Sequence, residues 1–377
     1  MPRSWTMLAV VLALAASALA AGARADGLPP GVAERSLAFL THDGLVLSAR
    51  LTLPQGEAPR AGVVLLHGSG ATDMDQTVGP ELTSTGRVEK PLRQLAWRLA
   101  REGFAVLRYN KRGTDTDSRL DDAHLIETAS LGDLVADARA AVALLRSTGL
   151  VPADRIVLVG HSEGSIIGSL VAAADPQIAG LACLAPLAHS LRDILHYQLV
   201  DRIAAWTWEL VDADHDGRLT RDEIANAPRY HLPLSSLDAD GDGTVDHQEL
   251  ARGLEREWDR FAAEQTRVSP WLAQHFALEP NLTRFPRLSI PIQLFHGEED
   301  AQSPVSESRA LMQALANRPR ESGWAATLDT FPGLGHGFSP PLAKDRPTVG
   351  PIDAGALETI AHRLSATYLA GSLLANR

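Results

Sequence analysis

Short apolar runs alternate along most of the chain with longer segments whose apolar residues recur at helical spacing. The runs that predict strands span 61–70, 104–110, 155–160, 178–187, 290–297 and 324–333. The segments that predict helices span 91–103, 131–149, 306–317 and 353–373, with one more beginning at 163. Continuous apolar strands are typical of a parallel sheet with two buried faces. The alternation therefore predicts an α/β fold, with a mostly parallel central sheet covered by helices on both faces.

Two segments do not follow this alternation. Residues 35–54 alternate between apolar and polar positions, with a turn at Asp43-Gly44, which predicts an antiparallel hairpin at one edge of the sheet. Residues 190–287 combine acidic residues, prolines and four tryptophans. We interpret them as a helical cap inserted above the carboxyl end of the sheet, where α/β proteins place their sites. The core is then predicted in two parts, 26–189 and 288–377.

The first 25 residues are predicted to form a secretory signal peptide. Arg3 precedes an apolar run from Met7 to Ala21, and the sequence A-R-A at 23–25 is a small-residue cleavage site. The run is short for a transmembrane helix, and no later stretch is apolar enough for one. We therefore expect an exported protein, periplasmic or secreted, whose mature chain has no membrane span.

Charge and cysteine content narrow the classes of partner. The formal net charge is −11, which argues against nucleic acid, because proteins that bind nucleic acid carry basic patches. The same charge is compatible with cation binding. Cys183 is the only cysteine, so no disulfide forms within the chain, and its apolar surroundings predict a buried, unreactive thiol.

A serine flanked by glycines follows the third of the predicted parallel strands. Residues 160–164 read G-H-S-E-G, which is G-x-S-x-G at a strand-to-helix boundary. A tight, strained turn at such a boundary exposes the serine hydroxyl at the end of the sheet. Ser162 is therefore the candidate nucleophile. Its hydroxyl needs a base to take its proton and an acid to orient that base.

Two later loops supply candidates for the acid and the base. In this architecture the triad follows the chain order serine, acid, histidine. Glu298, Glu299 and Asp300 follow one predicted strand, and His336 lies in a glycine-rich loop after the next. We assign Asp300 as the acid, with the two glutamates as alternatives, and His336 as the base.

The oxyanion of a tetrahedral intermediate needs N–H donors close to the nucleophile. One predicted donor is the backbone N–H of Glu163, the residue after the nucleophile. The other is the backbone N–H of Ser69, in the loop after the strand that begins at 61. His67 lies at the end of that strand, and we interpret it as shaping the loop rather than as the catalytic base.

Outside the insertion, the chain resembles the α/β-hydrolase superfamily, and within it the dienelactone hydrolases and carboxylesterases. The motifs that carry the resemblance are LHGSG at 66–70, YNKRG at 109–113, GHSEG at 160–164, HGEED at 296–300 and GLGHGF at 333–338. The resemblance implies a serine hydrolase that transfers an acyl group to water through an acyl-enzyme. Met74 stands where an arginine is typical and Asn110 where an aspartate is common, so the segment around Asn110 is assigned a loop-fixing role.

Two twelve-residue segments of the insertion, 212–223 and 238–249, repeat one acidic pattern. Both place aspartate at positions 1, 3 and 5, glycine at 6 and glutamate at 12, as in a loop that surrounds Ca²⁺ with oxygen atoms. The predicted ligands are Asp212, Asp214, Asp216, the carbonyl of Arg218 and Glu223 in one loop, and Asp238, Asp240, Asp242, the carbonyl of Thr244 and Glu249 in the other. The loops resemble an EF-hand pair, in which the apolar residues at position 8, Leu219 and Val245, join the loops by short strands.

These features together favour an exported serine esterase that acts on small-molecule ester or acyl substrates and binds two calcium ions, with no organic cofactor. The helices between the loops must be short, which argues against the large opening seen in calcium sensors. We therefore expect calcium to have a structural role, as a clamp that holds the cap over Ser162. A serine aminopeptidase, an acylpeptidase or a thioesterase with the same triad is the alternative, because fold-level resemblance does not fix the substrate. A third interpretation is a calcium-binding protein with a relict, non-catalytic hydrolase fold.

Overall fold

The computed structural model describes residues 27–115, 121–226, 234–316, 326–343 and 350–370. The predicted signal peptide, residues 1–25, lies outside the described residues. The strands are β1 (Val32–Leu40), β2 (Val46–Pro54), β3 (Ala61–Leu66), β4 (Phe104–Tyr109), β5 (Ile156–His161), β6 (Ile178–Leu184), β7 (Arg218–Thr220), β8 (Thr244–Asp246), β9 (Ile292–Gly297) and β10 (Ala326–Phe331).

Eight of these strands form one sheet, in the order β1-β2-β4-β3-β5-β6-β9-β10. The hairpin strands β1 and β2 pair antiparallel with each other, and β2 pairs antiparallel with β4. All the other neighbours in this sheet are parallel. The prediction of a mostly parallel sheet with an antiparallel hairpin at one edge is therefore confirmed.

Thirteen α-helices accompany the strands in the described part of the chain. They are α1 (Pro91–Glu102), α2 (Ala123–Thr128), α3 (Leu131–Ser147), α4 (Glu163–Ala174), α5 (Leu191–His196), α6 (Arg202–Leu210), α7 (Arg221–Asn226), α8 (Leu234–Leu237), α9 (His247–Val268), α10 (Pro270–Ala277), α11 (Asn281–Arg284), α12 (Ser306–Ala316) and α13 (Ala354–Tyr368). Two of these helices have clear end signals: α1 ends at Gly103, which has a φ of 106°, and Ser130 and Asp133 form a capping box at the start of α3.

The sheet buries both of its faces. Alternate residues of a strand point to opposite faces, and β3 is buried along its whole length. Val63 and Leu65 belong to the core cluster that includes α1 and α13, whereas Leu66 reaches Gly168 of α4 on the other face. Helices therefore cover both faces, which explains why these strands are continuously apolar. Cys183 on β6 is fully buried, as predicted, and burial raises the pKa of its thiol above the usual value.

The chain divides into two compact units. The sheet unit comprises the residues up to His189 and from Glu279 onward, and the loop unit comprises Ser190–Leu278. The predicted insertion extended to residue 287, but the segment after Leu278 belongs with the sheet. The Asn281 side chain donates to the Leu187 carbonyl at 2.7 Å, and Arg284 donates to Ser169 Oγ at 3.1 Å.

Inside the loop unit, α9 and the small β7–β8 pairing organise the core. Leu219 and Val245 face each other in the antiparallel register, as expected from the repeated loop pattern, and both are fully buried. On α9, Leu250, Leu254 and Trp258 are buried. The helices between the two acidic loops, α7 and α8, are only 6 and 4 residues long, as the short spacing predicted.

Candidate active site

Ser162 lies in a strained turn between β5 and α4. Its φ and ψ are 52° and −117°, a backbone conformation that is unusual for a residue with a side chain. Its N–H donates to the Leu184 carbonyl at 2.8 Å. A Cβ on Gly160 would overlap the carbonyl oxygen of Gly164, and a Cβ on Gly164 would overlap that of Leu66. Both glycines are therefore required, and the turn holds the half-buried Ser162 at the start of α4.

Asp300 and His336 are joined by a hydrogen bond from the loops after β9 and β10. His336 Nδ1 donates to Asp300 Oδ2 at 2.7 Å, and the Asp300 side chain is fully buried. The other oxygen, Oδ1, accepts the backbone N–H groups of Gln302 and Ser303 at 2.8 and 3.0 Å. The alternative acids, Glu298 and Glu299, are exposed. Of the three acidic candidates, it is Asp300 that contacts the histidine.

His296, which sequence reasoning did not assign, is the second histidine on Asp300. Its Nε2 lies 2.7 Å from the Ser303 carbonyl and 3.1 Å from Asp300 Oδ2, and its Nδ1 lies 2.7 Å from Ser308 Oγ. Because a carbonyl only accepts, Nε2 carries the proton and Nδ1 accepts from the serine hydroxyl. Burial alone would raise the pKa of Asp300. The charge of His336 and the hydrogen bonds from both histidines instead lower that pKa below its usual range.

His161 ties the turn of Ser162 to the loop of His336. Its Nε2 donates to the His336 carbonyl at 3.0 Å, and its Nδ1 accepts from the Gln76 amide at 3.1 Å. Burial lowers the pKa of His161 to about 3, so its ring is neutral at physiological pH. Sequence reasoning missed this role of His161 and Gln76, because the partners are 85 and 175 residues apart in the chain.

The G-S-G loop at 68–70 passes directly beside the nucleophile. A Cβ on Gly68 would lie 3.4 Å from the Cβ of Ser162. His67 donates from Nε2 to the Tyr109 carbonyl, and burial, with the nearby charge of Lys111, lowers the pKa of His67 to about 3. A neutral, buried ring bonded to the backbone agrees with the loop-shaping role predicted for His67.

Three side chains of the YNKRG segment contact other parts of the chain, and that of Lys111 holds this same loop. Asn110 Oδ1 accepts the N–H of Met74 at 2.8 Å, and Met74, in place of the family's arginine, is buried. Lys111 Nζ donates to the carbonyl of Gly68 and to the carboxylate of Glu163. Arg112 donates from Nε to Asp137 Oδ2 at 2.9 Å. The side chains of this segment therefore fix backbone and pair charges, which agrees with the loop-fixing role assigned to it.

The two acidic loops of the loop unit bring carboxylates together. Carboxylate oxygens of Asp212, Asp214 and Glu223 lie within 4.8 Å of one another, as do those of Asp238, Asp240 and Glu249. The glycines at position 6, Gly217 and Gly243, have φ values of 79° and 90°, the left-handed conformation that the sharp turn needs. Asp216 and Asp242 are not part of these convergent sets; Asp242 Oδ2 instead accepts from Arg218 Nη1 at 2.8 Å.

The residues of the first loop fit a cation. Asp212 is 5 % exposed, its Oδ2 accepts the N–H of Gly217 at 3.1 Å, and its Oδ1 is buried without a hydrogen-bond partner among the described residues. Glu223 uses both oxygens, accepting from the N–H groups of Ala213 and Thr220 at 2.9 and 2.8 Å. Backbone donors thus orient converging oxygen ligands, the chemistry that a hard cation such as Ca²⁺ prefers.

Comparison with known proteins gives a family and a fold. The family profile described as "Serine aminopeptidase, S33" matches residues 86–338. The esterase EstD of Thermotoga maritima is 32% identical over 153 residues, which are 41% of this chain and 33% of that esterase. The match therefore spans about a third of the length of EstD.

Among the described residues, no helix combines the length and the apolar composition needed to cross a membrane.

Solved structures share the architecture at low sequence identity. A putative dienelactone hydrolase from Klebsiella pneumoniae is 14% identical, with 90% of this chain and 99% of that chain covered and a TM-score of 0.50. The α/β hydrolase GrgF from Penicillium is 17% identical, with 89% and 98% covered and a TM-score of 0.50. The fold is therefore that of the α/β hydrolases, as the sequence motifs implied.

Proposed function

Because this chain belongs to the serine aminopeptidase S33 family, we propose that it is a serine hydrolase that cleaves carboxylic esters through an acyl-enzyme on Ser162. The observation that carries the proposal is the hydrogen bond between Asp300 and His336, in loops that follow adjacent parallel strands. His161 links the His336 loop to the turn of the candidate nucleophile. The chain order serine, acid, histidine is the order of the α/β-hydrolase triad.

The proposed reaction begins with proton transfer from Ser162 Oγ to Nε2 of His336. Asp300 binds Nδ1–H of His336, which keeps the proton on that nitrogen and leaves Nε2 free of a proton as the base. The Ser162 oxygen attacks the ester carbonyl carbon, and the carbonyl electrons move to the oxygen. The tetrahedral intermediate collapses, and the leaving alkoxide takes the proton back from His336. Water, deprotonated by the same nitrogen, then releases the acid and regenerates Ser162.

We assign the backbone N–H groups of Glu163 and Ser69 to the oxyanion hole. Glu163 begins α4, and backbone N–H groups at a helix N-terminus point toward a bound anion. The helix dipole also favours negative charge at this end. Ser69 follows Gly68, the residue that borders the Ser162 side chain.

An ester is the preferred substrate, and an amino-terminal peptide bond is the second candidate. The ester assignment is supported by EstD, whose name is that of an esterase. The peptidase assignment is supported by the family description as serine aminopeptidases. Thioesters remain a third class for the same triad. Parallel assays with p-nitrophenyl esters, aminoacyl p-nitroanilides and an acyl thioester rank the three classes by kcat/KM.

We further propose that the acidic loops hold one Ca²⁺ each, through the ligands predicted from the sequence. The partnerless Oδ1 of Asp212 and the converging carboxylates of both loops support this. When bound, Ca²⁺ would supply positive charge that offsets carboxylate repulsion and would stabilise the loop unit. If this unit acts as a cap on the esterase site, a chelator lowers the esterase activity as well as the stability.

Export is proposed from the sequence pattern of residues 1–25 alone. N-terminal sequencing of the protein recovered from the periplasm or medium should begin at Asp26. Recovery in the cytoplasm with an intact N-terminus would contradict export without affecting the proposed chemistry.

The deciding experiment measures hydrolysis of p-nitrophenyl acetate, butyrate and decanoate. Ser162→Ala should abolish turnover, and Ser147→Ala serves as the matched control, because Ser147 is an exposed serine at the end of α3. Labelling by a fluorophosphonate probe should occur in wild type and Ser147→Ala and be absent from Ser162→Ala. A folded wild-type protein that neither hydrolyses these esters nor reacts with the probe would contradict the serine-hydrolase proposal.

A further inference from the structure

A buried lysine contacts both segments that carry the proposed oxyanion-hole donors. Lys111, two residues beyond the end of β4, is 7 % exposed. Its ammonium donates to the Gly68 carbonyl at 2.6 Å, to the Gly70 carbonyl at 3.2 Å and to Glu163 Oε2 at 2.8 Å. An ammonium has three N–H groups, so each of them has an acceptor here.

The carboxylate in this pair belongs to the residue that follows the nucleophile. The Glu163 side chain is fully buried, and that of Lys111 is 8 % exposed. Burying an ion pair costs desolvation energy that the attraction often fails to exceed, and apolar residues of similar volume frequently serve stability as well or better. Stability alone therefore does not account for a charged pair at this position, beside Ser162.

Peptide geometry shows what the lysine fixes. In a trans peptide the C=O and the following N–H point in opposite directions. Because Lys111 holds the Gly68 carbonyl, the Ser69 N–H must point away from the ammonium. The Gly70 carbonyl is held in the same way, so one group orients the peptide plane between Gly68 and Ser69 and the plane that follows Gly70.

We propose that Lys111 and Glu163 are positioning residues that orient the two backbone donors of the oxyanion hole. The ammonium sets the direction of the Ser69 N–H through the Gly68 carbonyl. Through the Glu163 side chain, it also anchors the first residue of α4, whose own N–H is the second donor. This inference rests on the proposed function, because an oxyanion hole matters only if Ser162 performs acyl transfer.

Three variants separate positioning from simple structural support: Lys111→Met, Glu163→Gln and the double variant. Lys111→Met leaves the buried Glu163 carboxylate without its cation, so the fold should be strongly destabilised. The double variant has no buried charge at this site, so its unfolding midpoint in urea should return toward that of wild type. The carbonyl tethers are still missing, however, so its kcat should stay low.

The expected result is a fall in kcat of about 100-fold for Lys111→Met and for the double variant, with KM changed by less than about threefold, because removing one oxyanion donor has effects of this size. Glu163→Gln should lose less, since the ammonium still holds both carbonyls. Phenylboronic acid, whose tetrahedral adduct with serine places an oxygen in the oxyanion position, should bind more weakly by the same factor as the loss of kcat/KM.

Asp137→Asn provides the matched control. Asp137 is a buried carboxylate paired with Arg112 at 2.8 Å, and it lies on α3, outside the proposed machinery. Its loss should lower stability and leave kcat and boronate affinity unchanged. Recovery of kcat together with stability in the double variant, or an unchanged kcat in Lys111→Met, would overturn the positioning role while wild-type activity upholds the esterase. A wild-type protein inactive on esters and unreactive to fluorophosphonate would overturn both.

Discussion

Asp300 and Asp212 are two buried aspartates, each 5 % exposed as a whole residue, and their carboxylates have opposite surroundings. Asp300 Oδ2 accepts from His336 and His296, and its Oδ1 accepts from two backbone N–H groups. Asp212 has one oxygen bonded to the N–H of Gly217, and its Oδ1 has no hydrogen-bond partner among the described residues.

The difference separates a site that the chain completes itself from one that we propose is completed by a cation. A buried charge is tolerated only when it is paired and hydrogen-bonded. Around Asp300 the protein provides these partners, which lowers the pKa of Asp300 and keeps it ionised beside His336. In the first acidic loop, carboxylate oxygens of Asp212, Asp214 and Glu223 lie within 4.8 Å of one another, so the loop concentrates negative charge that an added cation would offset.

The largest effect is expected from Asp300→Asn, at the site of Asp300 and His336, which the chain completes itself. An amide cannot stabilise the imidazolium and favours the wrong histidine tautomer, so kcat should fall about 10⁴-fold. Steady-state ester hydrolysis measures the change. Asp329→Asn is the control, since Asp329 forms an ion pair with Arg363 in the sheet unit, and its loss should leave kcat unchanged. Near wild-type turnover in Asp300→Asn would return the acid role to Glu298 or Glu299.

The next effect concerns calcium and Asp212. At a free Ca²⁺ concentration of 100 times Kd, binding should raise the free energy of unfolding of the loop unit by about 2.7 kcal/mol for each occupied site. The effect of Asp212→Asn on the free energy of unfolding should change sign with the medium. In calcium the variant should be less stable than wild type, because a ligand charge is lost. In chelator it should be more stable, because repulsion between carboxylates is relieved.

Urea unfolding followed by tryptophan fluorescence measures this, because four of the seven tryptophans lie between residues 206 and 271. Magnesium replaces calcium as the ion control. Identical unfolding curves in calcium and chelator would contradict the proposed ion sites. The stability of Asp300→Asn should respond to calcium as wild type does, which keeps the two sites distinct.

The third prediction tests the neutral, buried His67, which precedes the G-S-G loop beside the nucleophile. His67 has a folded pKa of about 3 against about 6.5 when unfolded, so the unfolded chain binds the proton more readily. Stability should therefore fall as the pH drops from about 6.5 toward 3, by up to about 1.4 kcal/mol per pH unit for this one group. Free energies of unfolding between pH 7.5 and 4.5 should show a shallower slope in His67→Gln. Equal slopes in the two proteins would contradict a neutral, buried His67.

Much of the completed site could be predicted because its parts are local patterns. The apolar runs predicted the strands. Gly160 and Gly164 predicted Ser162 as the nucleophile, because the short segment that forms the turn also contains the glycines that the turn requires. The sequence also favoured Asp300 over Glu298 and Glu299, but the structure was needed to show which of them contacts His336, because burial and that contact depend on how two loops meet.

The partners of that site could not be predicted from local pattern. His296 lies four residues before Asp300, yet its contact with Ser308 depends on the start of α12. Lys111 meets Glu163 across 52 residues, and only the parallel order of β4, β3 and β5 brings their ends together. The second acidic loop adds a further case, because Arg218, predicted only for its carbonyl, also uses its side chain on Asp242.

That side chain gives the smallest expected effect, through Arg218→Gln. The guanidinium donates to Asp242 Oδ2 at 2.8 Å and to Thr244 Oγ1 at 3.0 Å, so it occupies a carboxylate proposed to bind Ca²⁺ in the second loop. Its removal should tighten calcium binding there about two- to fivefold, the size expected for an exposed ion pair. Calorimetric titration measures it, with Arg221→Gln as control, because Arg221 is an exposed cation of the same unit. Equal gains in both variants would indicate a general charge effect, whereas a gain confined to Arg218→Gln would show that the guanidinium of Arg218 competes with the ion for Asp242.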